Sequence, residues 1–223
     1  MGKEREVKLR IEDLAALRSL LRKVGARVVK RRVCERNTLF DTPRSMLAKR
    51  ERLLRIRTET AAGKRGAIGS RSLLTFKRPI RKTRASGRGE TYNVREEIEL
   101  EISDHSALAR IFEGLGLGRW FRYEKLRTTF CLPASNAGAR SLLIELDETP
   151  IGVFLELEGP ASAIDRAARM LGFAKRDCIV ANYMVLYREY CRSRGEKPRD
   201  MLFARTIATR KRGGSRKKVK KFS

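Results

Sequence analysis

Eight stretches of this chain repeat with a period of two: Glu4 to Ile11, Arg27 to Phe40, Leu53 to Glu59, Ser72 to Lys77, Tyr92 to Ile102, Phe121 to Leu132, Leu142 to Asp147 and Val153 to Glu158. Successive side chains of a strand point to opposite faces, so each run can be read as two faces. In the first, Glu4, Glu6, Lys8 and Arg10 oppose Val7, Leu9 and Ile11. Likewise Arg55 and Arg57 oppose Leu54 and Ile56, and Arg95, Glu97, Glu99 and Glu101 oppose Ile98, Leu100 and Ile102. Glu145 and Asp147 oppose Ile144 and Leu146; Glu156 and Glu158 oppose Leu155 and Leu157. Lys125 and Arg127 share one side of their strand, and Lys77 ends another.

A sheet with one face on helices has a polar outer face, and alternation alone fits that arrangement. Two details argue for a different one. A solvated face mixes Ser, Thr, Lys and Gln, whereas these positions are almost entirely carboxylate, guanidinium or ammonium. The signs are also grouped by strand, with acid pairs at Glu4/Glu6 and Glu156/Glu158 and basic pairs at Arg55/Arg57 and Lys125/Arg127. If the sheet curls so that the charged faces converge, the acids can hold a hard divalent cation and the bases a polyphosphate.

Helical spacing separates the strand runs: Leu14, Leu17, Leu20, Leu21 and Val24 after Asp13, then Ser103 to Leu115 with Ser103 as cap, Ala161 to Leu171, and about Asp177 to Arg192. Turn-rich loops are predicted at Ala61 to Ser70 and Pro79 to Gly89. This order points to an antiparallel α+β domain over residues 1–192. Residues 193–223, with a net charge of +10, read as a disordered basic tail. That tail could bind nucleic acid or polyphosphate by counterion release, or be merely solvated. The whole chain of 223 residues carries 52 Lys and Arg against 26 Asp and Glu, a charge of +26, which favours acidic partners. Its 41% hydrophobic content suffices for a core.

Several functions lack their residues. Cys34, Cys131, Cys178 and Cys191 are scattered and His105 is the only histidine, so a zinc centre has no ligand set. Neither a Walker phosphate loop nor a dinucleotide fingerprint is present, and Gly114, Gly116 and Gly118 read as turn residues. No apolar stretch of membrane-spanning length or signal core occurs, so the expectation is a soluble cytoplasmic protein with reduced thiols and no membrane partner. Trp120, Phe121 and Tyr123 read as core or rim, and Tyr183 and Tyr187 as a helix face packed on the sheet.

Glu4-x-Glu6-x-Lys8, Phe40-Asp41-Thr42-Pro43, Leu54-Arg55-Ile56-Arg57, Leu74-Thr75-Phe76-Lys77, Arg95-x-Glu97-x-Glu99, Lys125-x-Arg127, Asp147 and Gly152-x-Phe154-Leu155-Glu156-Leu157-Glu158 resemble, in order, the motifs of the CYTH superfamily, the triphosphate tunnel metalloenzymes. The resemblance covers about residues 3 to 190. It implies an eight-stranded antiparallel β-barrel with flanking helices, a triphosphate in the tunnel, and Mg²⁺ or Mn²⁺ on its phosphates. By similarity Glu4, Glu6, Glu97, Glu99, Asp147, Glu156 and Glu158 would bind metal, and Lys8, Arg55, Arg57, Lys77, Arg95, Lys125 and Arg127 would grip phosphate, with Lys8, Arg55 and Arg57 nearest the chemistry. Members of the superfamily hydrolyse tripolyphosphate, thiamine triphosphate or nucleoside triphosphates, or cyclise ATP to cyclic AMP and pyrophosphate. The expectation is a metal-dependent triphosphatase, with a class IV adenylate cyclase as alternative and a non-catalytic polyphosphate or nucleic-acid binder as a third reading. Leu39-Phe40 stands where many members have Tyr-Phe, which removes a tyrosine from that position.

Overall fold

In the computed structural model, which describes residues 2–61, 70–80, 92–133 and 141–204, the period-two runs become eight strands. They are β1 (Gly2–Ile11), β2 (Arg27–Asp41), β3 (Leu53–Ala61), β4 (Arg71–Pro79), β5 (Asn93–Glu101), β6 (Gly118–Leu132), β7 (Leu142–Thr149) and β8 (Gly152–Glu158). Every neighbouring pair is antiparallel, and the order β1-β5-β4-β3-β2-β6-β7-β8 closes on itself as a barrel. The expected eight-stranded antiparallel barrel with flanking helices is therefore what forms. Most of the two predicted turn-rich loops, and residues 205–223 of the predicted tail, lie outside the described residues.

Two of the three apolar clusters lie on the outside of the barrel, and the third includes inward-facing residues that line its cavity. Helices α1 (Leu14–Lys23) and α4 (Ala161–Met170) cover the outer faces of β1, β7 and β8, where Leu17, Leu21, Ile164 and Ala167 pack with Val7, Leu9, Ile144, Leu146, Leu155 and Leu157. A four-residue helix, α2 (Met46–Lys49), follows β2. Helix α3 (His105–Gly114) covers β2 and β3 through Ala109 and Phe112 on Phe40 and Ile56. Helix α5 (Tyr183–Ser193) packs Tyr183 and Leu186 against Leu39, Phe121, Tyr123 and Phe154.

Local chemistry sets the element ends. Asp13 caps α1 by accepting from the N–H groups of Ala15 and Ala16 at 2.8 and 2.9 Å. For α3 the cap is Asp104, not the expected Ser103, because its carboxylate accepts from Ser106 and Ala107. The last helix starts at Tyr183 behind its Asn182 cap rather than near Asp177. Residues before it are drawn into the sheet: β1 pairs with β5 only as far as Glu6, and Ile179 takes the edge vacated beyond that, exchanging backbone bonds of 2.9 and 2.8 Å with Lys8. Asp41 of the Phe40-Asp41-Thr42-Pro43 motif accepts from the N–H groups of Thr42, Leu47 and Ala48, so its part is to hold the turn into α2. Residues 194–204, assigned to the tail by composition, return to the barrel, where Met201 is buried and bridges β6 at Tyr123.

Leu155 has no solvent exposure and lies between β8 and the covering helices. Leu155→Ala should cost about 2–5 kcal/mol of unfolding free energy in a urea titration, by lost transfer energy and the cavity left behind.

Candidate active site

Closing the barrel turns the ionised faces inward onto a cavity of ≈ 290 Å³. β1 contributes Glu4, Glu6 and Lys8, β3 Arg55 and Arg57, β4 Lys77, β5 Arg95, Glu97 and Glu99, β6 Lys125 and Arg127, and β8 Glu156 and Glu158. Thus thirteen of the fourteen residues singled out from sequence line one cavity. Asp147 does not: it is completely buried behind Lys125 and Arg127. Its oxygens accept from Lys125 Nζ at 2.9 Å, from Arg127 Nε and Nη2 at 2.6 Å each, and from the Tyr183 hydroxyl at 2.7 Å.

Seven cations and seven carboxylates line the cavity, the seventh acid being Glu145 on β7. The strand register puts Glu6 opposite Glu158, Glu145 opposite Glu156, and, at the deeper β2–β3 pair, Glu35 opposite Glu59. Like charges directly opposite are unfavourable, so each pair depends on a nearby cation or on a raised pKa in one of its members. Lys8 Nζ lies 3.0 Å from Glu6 and 3.2 Å from Glu156. Lys77 donates to both oxygens of Glu4 at 2.6 Å and lies 3.4 Å from Glu97. Arg127 Nη2 bridges Asp147 and Glu156, both at 2.6 Å, and the same guanidinium pairs with Glu145. Arg57 pairs with Glu99 at 2.8 Å and lies 3.5 and 3.6 Å from Glu59 and Glu35.

Two cations differ. Arg55 is buried and donates to the Tyr123 hydroxyl at 3.2 Å and to Thr75 Oγ1 at 3.1 Å, while its Nε has no partner. Arg95 donates to Asn93 Oδ1 at 3.0 Å. Neither is salt-bridged to a carboxylate among the described residues.

The acids respond unequally to burial. Burial, then the charge of Glu4, pushes the Glu158 carboxyl up to about 7. Glu145 is pushed up to about 8, by burial first and by Glu156, against the pull of Arg127. Burial would raise Glu156 and Glu35 too; for Glu156 the cations Lys8 and Arg127 prevail, and for Glu35 Lys125, Arg127 and Arg57, so both lie well below the ordinary value. Among the described residues no three Asp, Glu, His or Cys form a ready cation cage. The donors are nevertheless all hard oxygens, and the raised Glu158 beside Glu4, Glu6 and Glu97 marks surplus negative charge. That suits Mg²⁺ or Mn²⁺, which keep waters and share their shell with phosphate.

Sequence reading missed Glu35, Asn37 and Glu59, and passed over Glu145 as a ligand. Glu35 and Asn37 are 0% and 1% exposed beneath the cavity floor, and none of their side-chain oxygens has a hydrogen-bond partner. The signal was present, since Glu35, Asn37 and Leu39 alternate along β2 and Glu59 continues the face of Arg55 and Arg57.

The CYTH domain family matches residues 2–171. Among solved structures, the fold is similar to a candidate adenylate cyclase of Vibrio parahaemolyticus, at 18% identity and TM-score 0.62, over 82% of this chain and 97% of that one. It is also similar to the PH1819 protein of Pyrococcus horikoshii, at 23% identity and TM-score 0.62, over 84% of this chain and 99% of that one. A third is the candidate adenylyl cyclase HpAC1 of Hippeastrum, described as revealing a dominant triphosphatase activity, at 19% identity and TM-score 0.53, over 87% of this chain and 97% of that one. At such identities the likeness is one of fold. No curated protein matches the chain.

Two outcomes follow from the buried ion network. Tyr183→Phe removes a hydrogen bond to a buried carboxylate and should cost about 1.5–3 kcal/mol in a denaturant titration. Because Glu35 is held below its ordinary value of 4.5, its stabilising contribution is complete above that pH and is lost as pH falls toward the folded value. Stability measured at stepped pH should fall below about pH 4.5 in the native chain, and more shallowly in Glu35→Gln.

Proposed function

Since the chain belongs to the CYTH family, we propose that it is a divalent-metal-dependent triphosphatase whose substrate is a triphosphate held in the barrel cavity. The observation that carries this reading is Arg55. A guanidinium buried inside a barrel with no carboxylate salt-bridged to it among the described residues is costly unless an anion completes the site. The family and its structural relatives named as cyclase or triphosphatase support an enzyme acting on triphosphates.

The chain's own residues divide the work. Lys125 and Arg127 are fixed from behind by Asp147, which Tyr183 fixes in turn, so these cations meet phosphate oxygens without reorganising. Arg55 is oriented by Tyr123 and Thr75. Lys8 and Lys77 rest on Glu6, Glu156 and Glu4, and a phosphate chain offers them competing oxygens. Their transfer to phosphate would free Glu4 and Glu6, with Glu158 and Glu97 alongside, to hold Mg²⁺ or Mn²⁺. The bound ion would neutralise and polarise the phosphoryl oxygens. Catalysis is then mainly alignment of the phosphate chain and stabilisation of charge on its oxygens.

The test is product analysis with Mg²⁺ and with Mn²⁺ on tripolyphosphate, thiamine triphosphate and ATP. Orthophosphate without cyclic AMP is expected, and turnover should stop with EDTA. Cyclic AMP with matching pyrophosphate would make the protein a cyclase, and no product from any of the three would make it a binder. Arg55→Ala should lower kcat/KM roughly 10²–10³-fold, the loss typical of removing one charge-stabilising donor, while the fold persists by circular dichroism.

A further inference from the structure

A second cavity of ≈ 290 Å³ adjoins the first, lined by Trp120, Phe121, Met184, Tyr187, Arg188 and Arg199 among others. Phe121 and Met184 line both cavities, so a molecule extended along that wall can occupy the two together. The cleft depends on two local irregularities. The β2–β6 register slips between Leu39 and Phe40, which pair with Phe121 and Arg119, and Trp120 is the extra residue; such bulges at barrel rims re-aim side chains. Its far wall is the returning segment, held to β6 by bonds of 2.9 Å from Met201 N–H to Arg122 O and from Glu124 N–H to Met201 O.

We propose that this cleft holds the neutral, planar base of a nucleoside triphosphate whose phosphate chain lies in the barrel; the proposal rests on the triphosphate reading of that cavity. Trp120 supplies the aromatic face, backed by Phe121, which packs on Tyr123 and Tyr187 with ring centres 5.8 and 5.9 Å away, and the Arg188 guanidinium already lies 5.9 Å from the centre of the Trp120 ring. Base stacking on such faces is tolerant of base identity. Phe121, Tyr123, Lys125 and Arg127 share one face of β6, and Phe121 to Lys125 spans about 13 Å, so one strand passes from an aromatic to a cationic surface. Charge decides between kinds of base. Arg188 and Arg199 are cationic, and the one carboxylate among the described lining residues, Asp200, is bound by Arg122 through its N–H at 2.9 Å and its Nε at 2.7 Å. A cationic ring such as a thiazolium would be repelled, whereas inorganic tripolyphosphate would leave the cleft empty.

Trp120 is the only tryptophan, so its emission reports on this cleft alone. The intact chain is titrated, with Mg²⁺, by the slowly hydrolysed imido analogues of ATP and of tripolyphosphate, and by thiamine triphosphate. The ATP analogue should change Trp120 emission saturably and the tripolyphosphate analogue should bind without that change. By calorimetry, Trp120→Leu should raise the Kd of the ATP analogue roughly ten-fold and Arg188→Ala roughly three-fold, with the tripolyphosphate analogue within about two-fold in both. An equal loss for both ligands, no loss for the ATP analogue in either variant, or tighter binding of thiamine triphosphate than of the ATP analogue would overturn the proposal. If neither imido analogue binds the native chain, the triphosphate reading of the barrel fails, and the cleft assignment with it.

Discussion

The structure depends on neutralising like-charge carboxylates inside a closed barrel. Glu6 faces Glu158, Glu145 faces Glu156 and Glu35 faces Glu59; cations lie on Glu6, on Glu145 and Glu156, and on Glu35 and Glu59, while burial and the charge of Glu4 push Glu158 up to about 7. Lys8 serves the acids of β1 and β8, Arg127 those of β7 and β8, and Arg57 those of β2, β3 and β5. Buried ion pairs of this kind seldom add stability over a packed apolar interior, because desolvation offsets their attraction. An eight-stranded barrel is narrow enough to be filled by side chains, and an apolar filling would be the simpler way to build it. The chain instead places most of its apolar packing outside, under α1, α3 and α4, and keeps the interior for charge apart from the wall of Leu39, Leu53, Phe121 and Tyr123 beneath α5.

That inversion explains what could be read from the sequence. Period-two alternation identifies a strand and separates its faces without knowledge of its neighbours, so the eight strands and thirteen interior residues were legible. Which residue meets which depends on register between strands far apart in the chain, and no local pattern contains it. Asp147 shows the difference: its place on the ionised face of β7 was plain, but its position behind Lys125 and Arg127, capped by Tyr183, depends on α5 crossing the barrel. Glu35 and Asn37 were masked by a long β2 whose first half, Val28 and Val29 included, is exposed and irregular in register. The start of α5 moved because Ile179 found backbone partners on β1, a long-range reason that helix propensity does not contain.

The returning segment illustrates the same limit from the opposite side. Its composition is that of a tail, with Arg194, Lys197 and Arg199 among its first residues, and composition is a statement about average burial. One buried methionine, two backbone bonds to β6 and the Arg122–Asp200 pair are enough to override it. Through that override the chain acquires a wall of the aromatic cleft that its alternating strands alone would not provide.

The balance inside the barrel also locates the chain's excess charge. With seven cations matched by seven carboxylates on the cavity lining, and further acids at Glu35, Glu59 and Asp147 behind them, the surplus of +26 must reside outside the cavity. The two charge systems then act at different ranges. The outer field draws polyanions over distances up to about a Debye length, weakly selective and sensitive to salt. The inner set acts only on what has entered, through fixed guanidinium and ammonium groups whose positions the buried acids hold. Strong attraction outside and near-neutrality inside are compatible because most interior cations are already paired: apart from Arg55 and Arg95, which have no salt-bridged carboxylate among the described residues, they must exchange a carboxylate for the oxygens of an entering anion. A ligand that brings phosphate oxygens for Lys8 and Lys77, and a divalent cation for the acids they release, satisfies both sides of that exchange, whereas a simple anion satisfies only one.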